Sequence, residues 1–171
     1  MPAENFSTIL GIGILLLQVK ILYLILHLVA PKNIPIPNFA KKNYLLGIFL
    51  VSFLAMVGSL VYSEVVKFPP CSLCWYQRIA IYSITVVSLV ALLRKYSKEV
   101  VVYVQTLSIA GIFIATLHVI SEQTGTALVC GSGGVSCAKQ LVFALGYISI
   151  PIMSLTVLVL IFLLTFIRKK G

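Results

Sequence analysis

Apolar residues along this chain gather into five long runs, roughly 8–30, 44–62, 75–93, 100–121 and 141–167, separated by short polar or proline-rich connections. A helix needs about 20 apolar residues to cross a hydrocarbon core of about 30 Å, and each run is of that order. All five are expected to be helical, because a strand edge or coil exposed to lipid leaves backbone polar groups unsatisfied. The first run is interrupted by Gln18, Lys20 and His27. A lysine at mid-bilayer costs about 2.5–3.5 kcal/mol on insertion scales. Lys20 and His27 are seven residues apart and share a face that either packs inward or lies at the interface, so this run reads as a span or as an interfacial helix. Gly146 to Pro151 opens the last run, and Pro151 is expected to bend or loosen that helix.

The segment Pro31-Lys32-Asn33-Ile34-Pro35-Ile36-Pro37 cannot be helical throughout and should be extended. The fold class expected is an all-α membrane protein, a four-helix transmembrane bundle over 43–171 with an additional amino-terminal hydrophobic helix and linker over 1–42. Of the 171 residues, 60% are hydrophobic and only 10% charged, which excludes an ordinary soluble domain. No extramembrane stretch is long enough for a separate folded domain. Met1 to Ser7 carries Glu4, no Lys or Arg, and no small-x-small site follows, so the amino terminus is expected to be retained rather than cleaved.

The formal charge of +9 raises the question of nucleic acid, but its distribution answers otherwise. Lys32, Lys41 and Lys42, then Arg94, Lys95 and Lys98, then Arg168, Lys169 and Lys170 account for nine of the thirteen basic residues. They fall on alternate connections, and the positive-inside rule makes that side, with the carboxyl terminus, cytoplasmic. The pattern is a topology signal, and no nucleic-acid partner is expected. The opposite connections hold Glu64 with Lys67, Glu122 with Lys139, and all four cysteines. Charge and cysteine placement are independent features, and both mark that face as the outside, where disulfides persist.

The chemistry concentrates in Cys71-Ser72-Leu73-Cys74-Trp75-Tyr76-Gln77-Arg78. Two cysteines separated by two residues occur in redox motifs and in zinc ribbons alike. Pro69-Pro70 stops the preceding helix and fixes an extended approach, placing both sulfurs near the first turn of the third segment. A thiolate there is favoured by unpaired N–H groups and the positive end of the helix dipole. Arg78 follows Cys74 by one turn on the same face. It reads either as a snorkelling interfacial cation or as a group that stabilises a thiolate and a reduced ring oxygen. Trp75 and Tyr76 either belong to the interfacial aromatic belt or line a flat aromatic ligand, and Gln77 could orient one.

Cys130 and Cys137 flank a glycine-rich loop that closes easily and stays mobile. Such a pair is either a structural staple or an exposed disulfide open to attack by another protein's thiolate. Two pairs on one face favour the second, since electrons can pass from pair to pair. His118, at the outer end of the fourth segment, is either an interfacial polar residue or a hydrogen-bond donor and proton relay for a bound carbonyl.

The octapeptide, the later cysteine pair and the Gly146-Tyr147-Ile148-Ser149-Ile150-Pro151 entry to the last segment resemble the DsbB/BdbC family of disulfide bond formation proteins. The resemblance runs from about residue 44 to the carboxyl end. It implies a four-helix bundle in the bacterial cytoplasmic (inner) membrane that reoxidises a secreted DsbA/BdbD-like, thioredoxin-fold dithiol oxidase. The electrons pass to the membrane quinone pool, ubiquinone or menaquinone. By the same resemblance Cys71, Cys74, Cys130 and Cys137 are the catalytic cysteines. Cys74 is the sulfur nearest the quinone, Arg78 and His118 contact it, and Cys130 is the sulfur the partner attacks. No metal is called for. Two features depart from the family pattern: the run 8–30 has no counterpart, and the short outer loop is BdbC-like. Three other readings compete; one, a transporter, would show polar or discontinuous helices at mid-membrane, and beyond the first run few such residues occur. Vitamin K epoxide reductase-like enzymes carry their loop cysteines before the Cys-x-x-Cys helix, the reverse of the order here. A structural site of four cysteines would need all four thiolates to converge on one zinc.

Overall fold

The computed structural model describes residues 2–29, 42–94, 98–126, 136, 137, 142 and 144–167. The helices are α1 (Pro2–Val29), α2 (Tyr44–Leu60), α3 (Ser72–Arg94), α4 (Lys98–Thr124) and α5 (Ile150–Leu164). Among the described residues, five segments, Ser7–Val29, Tyr44–Val65, Ser72–Arg94, Glu99–Thr124 and Ile150–Ile167, are long and apolar enough to cross a membrane. The chain is thus an all-helical, multi-pass membrane protein. Helices α2 to α5 form a closed ring in which α2 packs on α3, α3 on α4, α4 on α5 and α5 back on α2, while α1 lies outside the ring against α5.

The ring is not held by a polar exterior and an apolar interior. Leu54, Leu93 and Phe113 are exposed, as they must be to meet lipid. Ser52, Ser88, Ser108 and Thr85 are buried with Ile48, Ile84, Val104 and Leu158. Small residues inside let helix backbones approach closely, the main source of packing energy where lipid is as apolar as leucine. Gly111 on α4 makes the same point. A Cβ there would stand 2.9 Å from Leu158 Cδ2 and 3.2 Å from Ala80 Cβ, so α3, α4 and α5 meet at that glycine. Ser88 Oγ donates to the Ile84 carbonyl of its own helix at 2.7 Å, and Gln105 Nε2 of α4 donates across the bundle to Thr165 Oγ1 just after α5 at 2.9 Å.

Two boundaries differ from the sequence expectation. Helix α2 does not stop at 62. It widens into a π-helical turn over Val61–Val65 and ends with Lys67 in the left-handed region, φ 60°. The last helix begins at Ile150, not at 141. Before it, Ala144 and Ile148 exchange two backbone hydrogen bonds of 2.9 Å around a tight turn, with Leu145 at φ 54° and Gly146 at φ 83°. Consecutive left-handed residues cannot continue an α-helix. Pro151 therefore falls in the first turn of α5, where its missing N–H costs nothing, and it does not bend the helix.

Helix α1 docks along one stripe. Leu10, Gly11, Ile14, Leu17, Gln18, Ile21 and Leu24 are buried or half-buried, while Ile9, Ile12, Leu16 and Val19 between them are exposed. Gln18 accepts a hydrogen bond from Tyr147 Oη at 2.6 Å and its amide lies 3.4 Å from Thr156 Oγ1. The polar residue that interrupts this run is thus satisfied by the bundle. Lys20 lies off the stripe and is exposed, whereas His27 is half-buried, so the two do not pack inward together.

Candidate dithiol site and acceptor pocket

Cys71 occupies the N-cap of α3. Its carbonyl accepts the first helical bond from Trp75 N at 3.2 Å, and its sulfur accepts from Cys74 N at 3.4 Å. That is the bond a serine or aspartate oxygen makes at an N-cap. Negative charge on Cys71 Sγ therefore sits at the positive end of the helix. Pro69-Pro70 holds the approach outside any helix, as the sequence predicts. Cys71 and Cys74 are both thiols, with their sulfurs 3.0 Å apart.

His118 on α4 fixes the rest of this arrangement. The Gln77 amide nitrogen lies 3.0 Å from His118 Nδ1 and donates to it, which leaves the ring proton on Nε2. That nitrogen is 3.6 Å from Cys71 Sγ. The Cys71 thiol is held far below its ordinary value, at about 4. The hydrogen bond from Cys74 is the largest cause and the bond from His118 adds to it, while burial opposes both. His118 is buried and reaches Cys71 and Gln77, and it is not on the wall of the adjacent pocket.

That pocket is a cavity of about 140 Å³ bounded by α1, α2, α3 and α5. Cys74, Gln77 and Arg78 stand on its α3 wall, so Cys74 and Arg78 share one face of α3. Arg78 Nε donates to Ser59 Oγ and Nη2 to the Ser59 carbonyl, both at 2.9 Å. Its guanidinium carbon lies 5.3 Å from the Trp75 ring centroid. These contacts plant the cation beside α2, and with five N–H groups it keeps donors for a ligand. Trp75 and Tyr76 are themselves exposed, the placement of interfacial aromatics. Sequence reading overlooked Ser154, also on the wall. Its Oγ is buried with no partner among the described residues. A serine inside a long apolar run carries no signal until the helices are assembled.

Cys137 is buried, 1% exposed, in a cluster with Cys71 and Leu73, and it is disulfide-bonded. The sequence expectation of an exposed pair thus does not hold for Cys137. Cys130 lies outside the described residues. The sulfur and imidazole donors of Cys71, Cys74 and His118 lie within 4.8 Å of one another. Two thiolates sharing a tetrahedral zinc at about 2.3 Å would stand about 3.7 Å apart, wider than the 3.0 Å here. With Cys137 in a disulfide, a four-cysteine site does not form.

One buried and one half-buried thiol beside an apolar pocket at one end of a helical membrane bundle define a membrane thiol–disulfide protein. Comparisons with known proteins agree. The family described as "Disulfide bond formation protein DsbB" matches residues 41–167. The chain is 43% identical over 122 residues to the SPbeta prophage-derived disulfide bond formation protein B of Bacillus subtilis, covering 71% of this chain and 82% of that protein. It is 34% identical to a probable disulfide formation protein C of Halalkalibacterium halodurans, over 75% of this chain and 96% of that one. With disulfide bond formation protein C of Bacillus subtilis it shares 33% identity, over 74% and 92%. No solved structure matches significantly. The chain belongs to the DsbB family of disulfide bond formation proteins, which makes it a disulfide-generating oxidoreductase.

Proposed function

We propose that this protein reoxidises a secreted thioredoxin-fold dithiol oxidase and delivers the electrons to a membrane quinone. The observation that carries the reading is the position of Cys74, with Arg78, on the wall of an apolar cavity while Cys71 lies in the cluster of Cys137. One sulfur of the motif faces the acceptor site and the other lies in the cluster that holds Cys137.

The pocket suits a quinone ring. A dry apolar cavity of roughly 150 Å³ takes up a benzene ring, close to the 140 Å³ here. Arg78, Gln77 and Ser154 offer donors for carbonyl oxygens. A bound quinone would supply an acceptor for two electrons and two protons. The residues do the rest by thiol exchange. The partner's thiolate attacks Cys130 of a Cys130–Cys137 disulfide, and its second thiol resolves the mixed disulfide, leaving the loop reduced. The Cys137 thiolate then attacks Cys71 of a Cys71–Cys74 disulfide, which breaks the S–S bond and releases Cys74 as a thiolate on the pocket wall. Cys130 attacks Cys137 in turn, restoring the loop disulfide and expelling Cys71. A thiol of low pKa leaves faster, and Cys71 is such a thiol. Arg78 holds the charge of Cys74 and the ring in register.

In purified protein, one quinol is expected for each disulfide made in a reduced thioredoxin-fold substrate; disulfides formed with no quinol would sink the reading. The cysteine end of the bundle is taken to face away from the cytoplasm. A membrane-impermeant thiol reagent should then label reduced cysteines in intact cells, and labelling only after permeabilisation would reverse that orientation.

A further inference from the structure

The family match begins at residue 41, so α1 lies outside it, yet α1 is not a bystander to the pocket. Leu10 and Ile14 line the cavity together with residues of α2, α3 and α5. Helix α1 is seated on α5 along its length, and at its outer end it crosses to α2. There Tyr62 Oη donates to Ser7 Oγ at 3.3 Å, and Leu10 Cδ1 lies 4.0 Å from where a Cβ on Gly58 would stand. Gly11 lets the crossing sit tight, because a Cβ there would be 3.2 Å from Ala144 Cβ. The helix thus bridges the seam between α2 and α5, on the side where the cavity would otherwise face lipid.

Resting on the quinone reading above, we propose that α1 is the lipid-side wall of the acceptor pocket and that Leu10 and Ile14 determine which quinones it admits. A cavity of this volume holds a ring but not an isoprenoid tail, so the tail leaves on the lipid side of the pocket, which α1 borders with Leu10 and Ile14. The side chains at that exit then select among ring sizes and substituents by shape. One methylene in such an apolar pocket discriminates by roughly tenfold or more.

The test uses the full-length protein in lipid nanodiscs. Trp75 is the single tryptophan of the chain and lies against Arg78, so quenching of its fluorescence reads quinone binding without turnover. A monocyclic benzoquinone and a bicyclic naphthoquinone with equal tails are titrated. Leu10→Phe with Ile14→Phe narrows the pocket and is expected to weaken the bicyclic ligand at least about tenfold more than the monocyclic one. Leu10→Ala with Ile14→Ala widens it and should tilt the ratio the other way. Leu16→Phe, on the exposed face, should leave both affinities unchanged. Single-turnover oxidation of a dithiol substrate without quinone, which needs only the cysteines, should stay within about twofold in every variant. If wild-type protein binds quinone and neither double variant alters the affinities or their ratio, α1 is no wall, and the proposed function stands without it. If no quinone quenches the wild-type protein, both readings fall together.

Discussion

Cys74→Ser is expected to abolish quinone reduction, lowering the rate by at least about three orders of magnitude, the scale seen when a reacting nucleophile is removed. Serine cannot form the second half of the disulfide, so Cys71 has no partner with which to release two electrons. Cys74 is also the sulfur on the cavity wall, so Cys71 cannot take over its position. The loop disulfide is untouched by this change and should still oxidise one equivalent of substrate dithiol. Cys130→Ser should give the mirror result, with quinone binding intact and substrate oxidation lost. Quinol production and single-turnover dithiol oxidation, measured on the same preparations, separate the two. Quinone-coupled turnover surviving in Cys74→Ser protein would show that the electrons leave by another route.

The second large effect concerns pH. Cys71 is held at about 4, first by the hydrogen bond from Cys74 and then, against burial, by His118. The sign follows directly. A depressed thiol stays ionised at neutral pH and loses its charge only as the pH falls through about 4, whereas an ordinary cysteine near 8.5 would already be protonated at neutral pH. Ultraviolet absorbance of the reduced protein should therefore retain one thiolate down to about pH 5. A hydrogen bond to a charged group contributes about 1.5–3 kcal/mol, so His118→Ala should raise the midpoint by about 1–2 units. Because the thiolate stabilises the reduced pair, the same change should lower the Cys71–Cys74 potential by about 30–60 mV. A wild-type midpoint near 8.5 would remove the physical basis for Cys71 as the leaving sulfur.

The motif was legible because its chemistry is local. Pro69-Pro70, the two-residue cysteine spacing and Arg78 one turn on place a thiol pair at a helix start whatever surrounds them. His118 was visible as a polar residue but not as the partner of Cys71, since 47 positions separate them and only the α3–α4 packing brings them together. From the sequence Gln77 reads as a group orienting an aromatic ligand; the fold gives it a second task, fixing the proton on His118. The start of α5 is hidden in the sequence, because an apolar turn between Ala144 and Ile148 looks like helix in hydropathy while two left-handed residues break it.

Five apolar helices, their alternating charged ends, and a cysteine motif at the opposite end from the basic clusters are all legible in the order of residues alone. These follow from the cost of polar groups in hydrocarbon, which acts on each segment alone. Which face of each helix looks inward is set by packing and cannot be read from the residues one segment at a time. In α1, Leu10 and Ile14 line the pocket while Ile9, Ile12 and Leu16 are exposed, and these side chains are chemically alike. Lipid tails are as apolar as leucine, so burial inside the bundle leaves no mark on composition. It is fixed instead by shape: at Gly111 the absence of a side chain lets α3 and α5 come close to α4, and at Gly11 it lets the turn before α5 come close to α1.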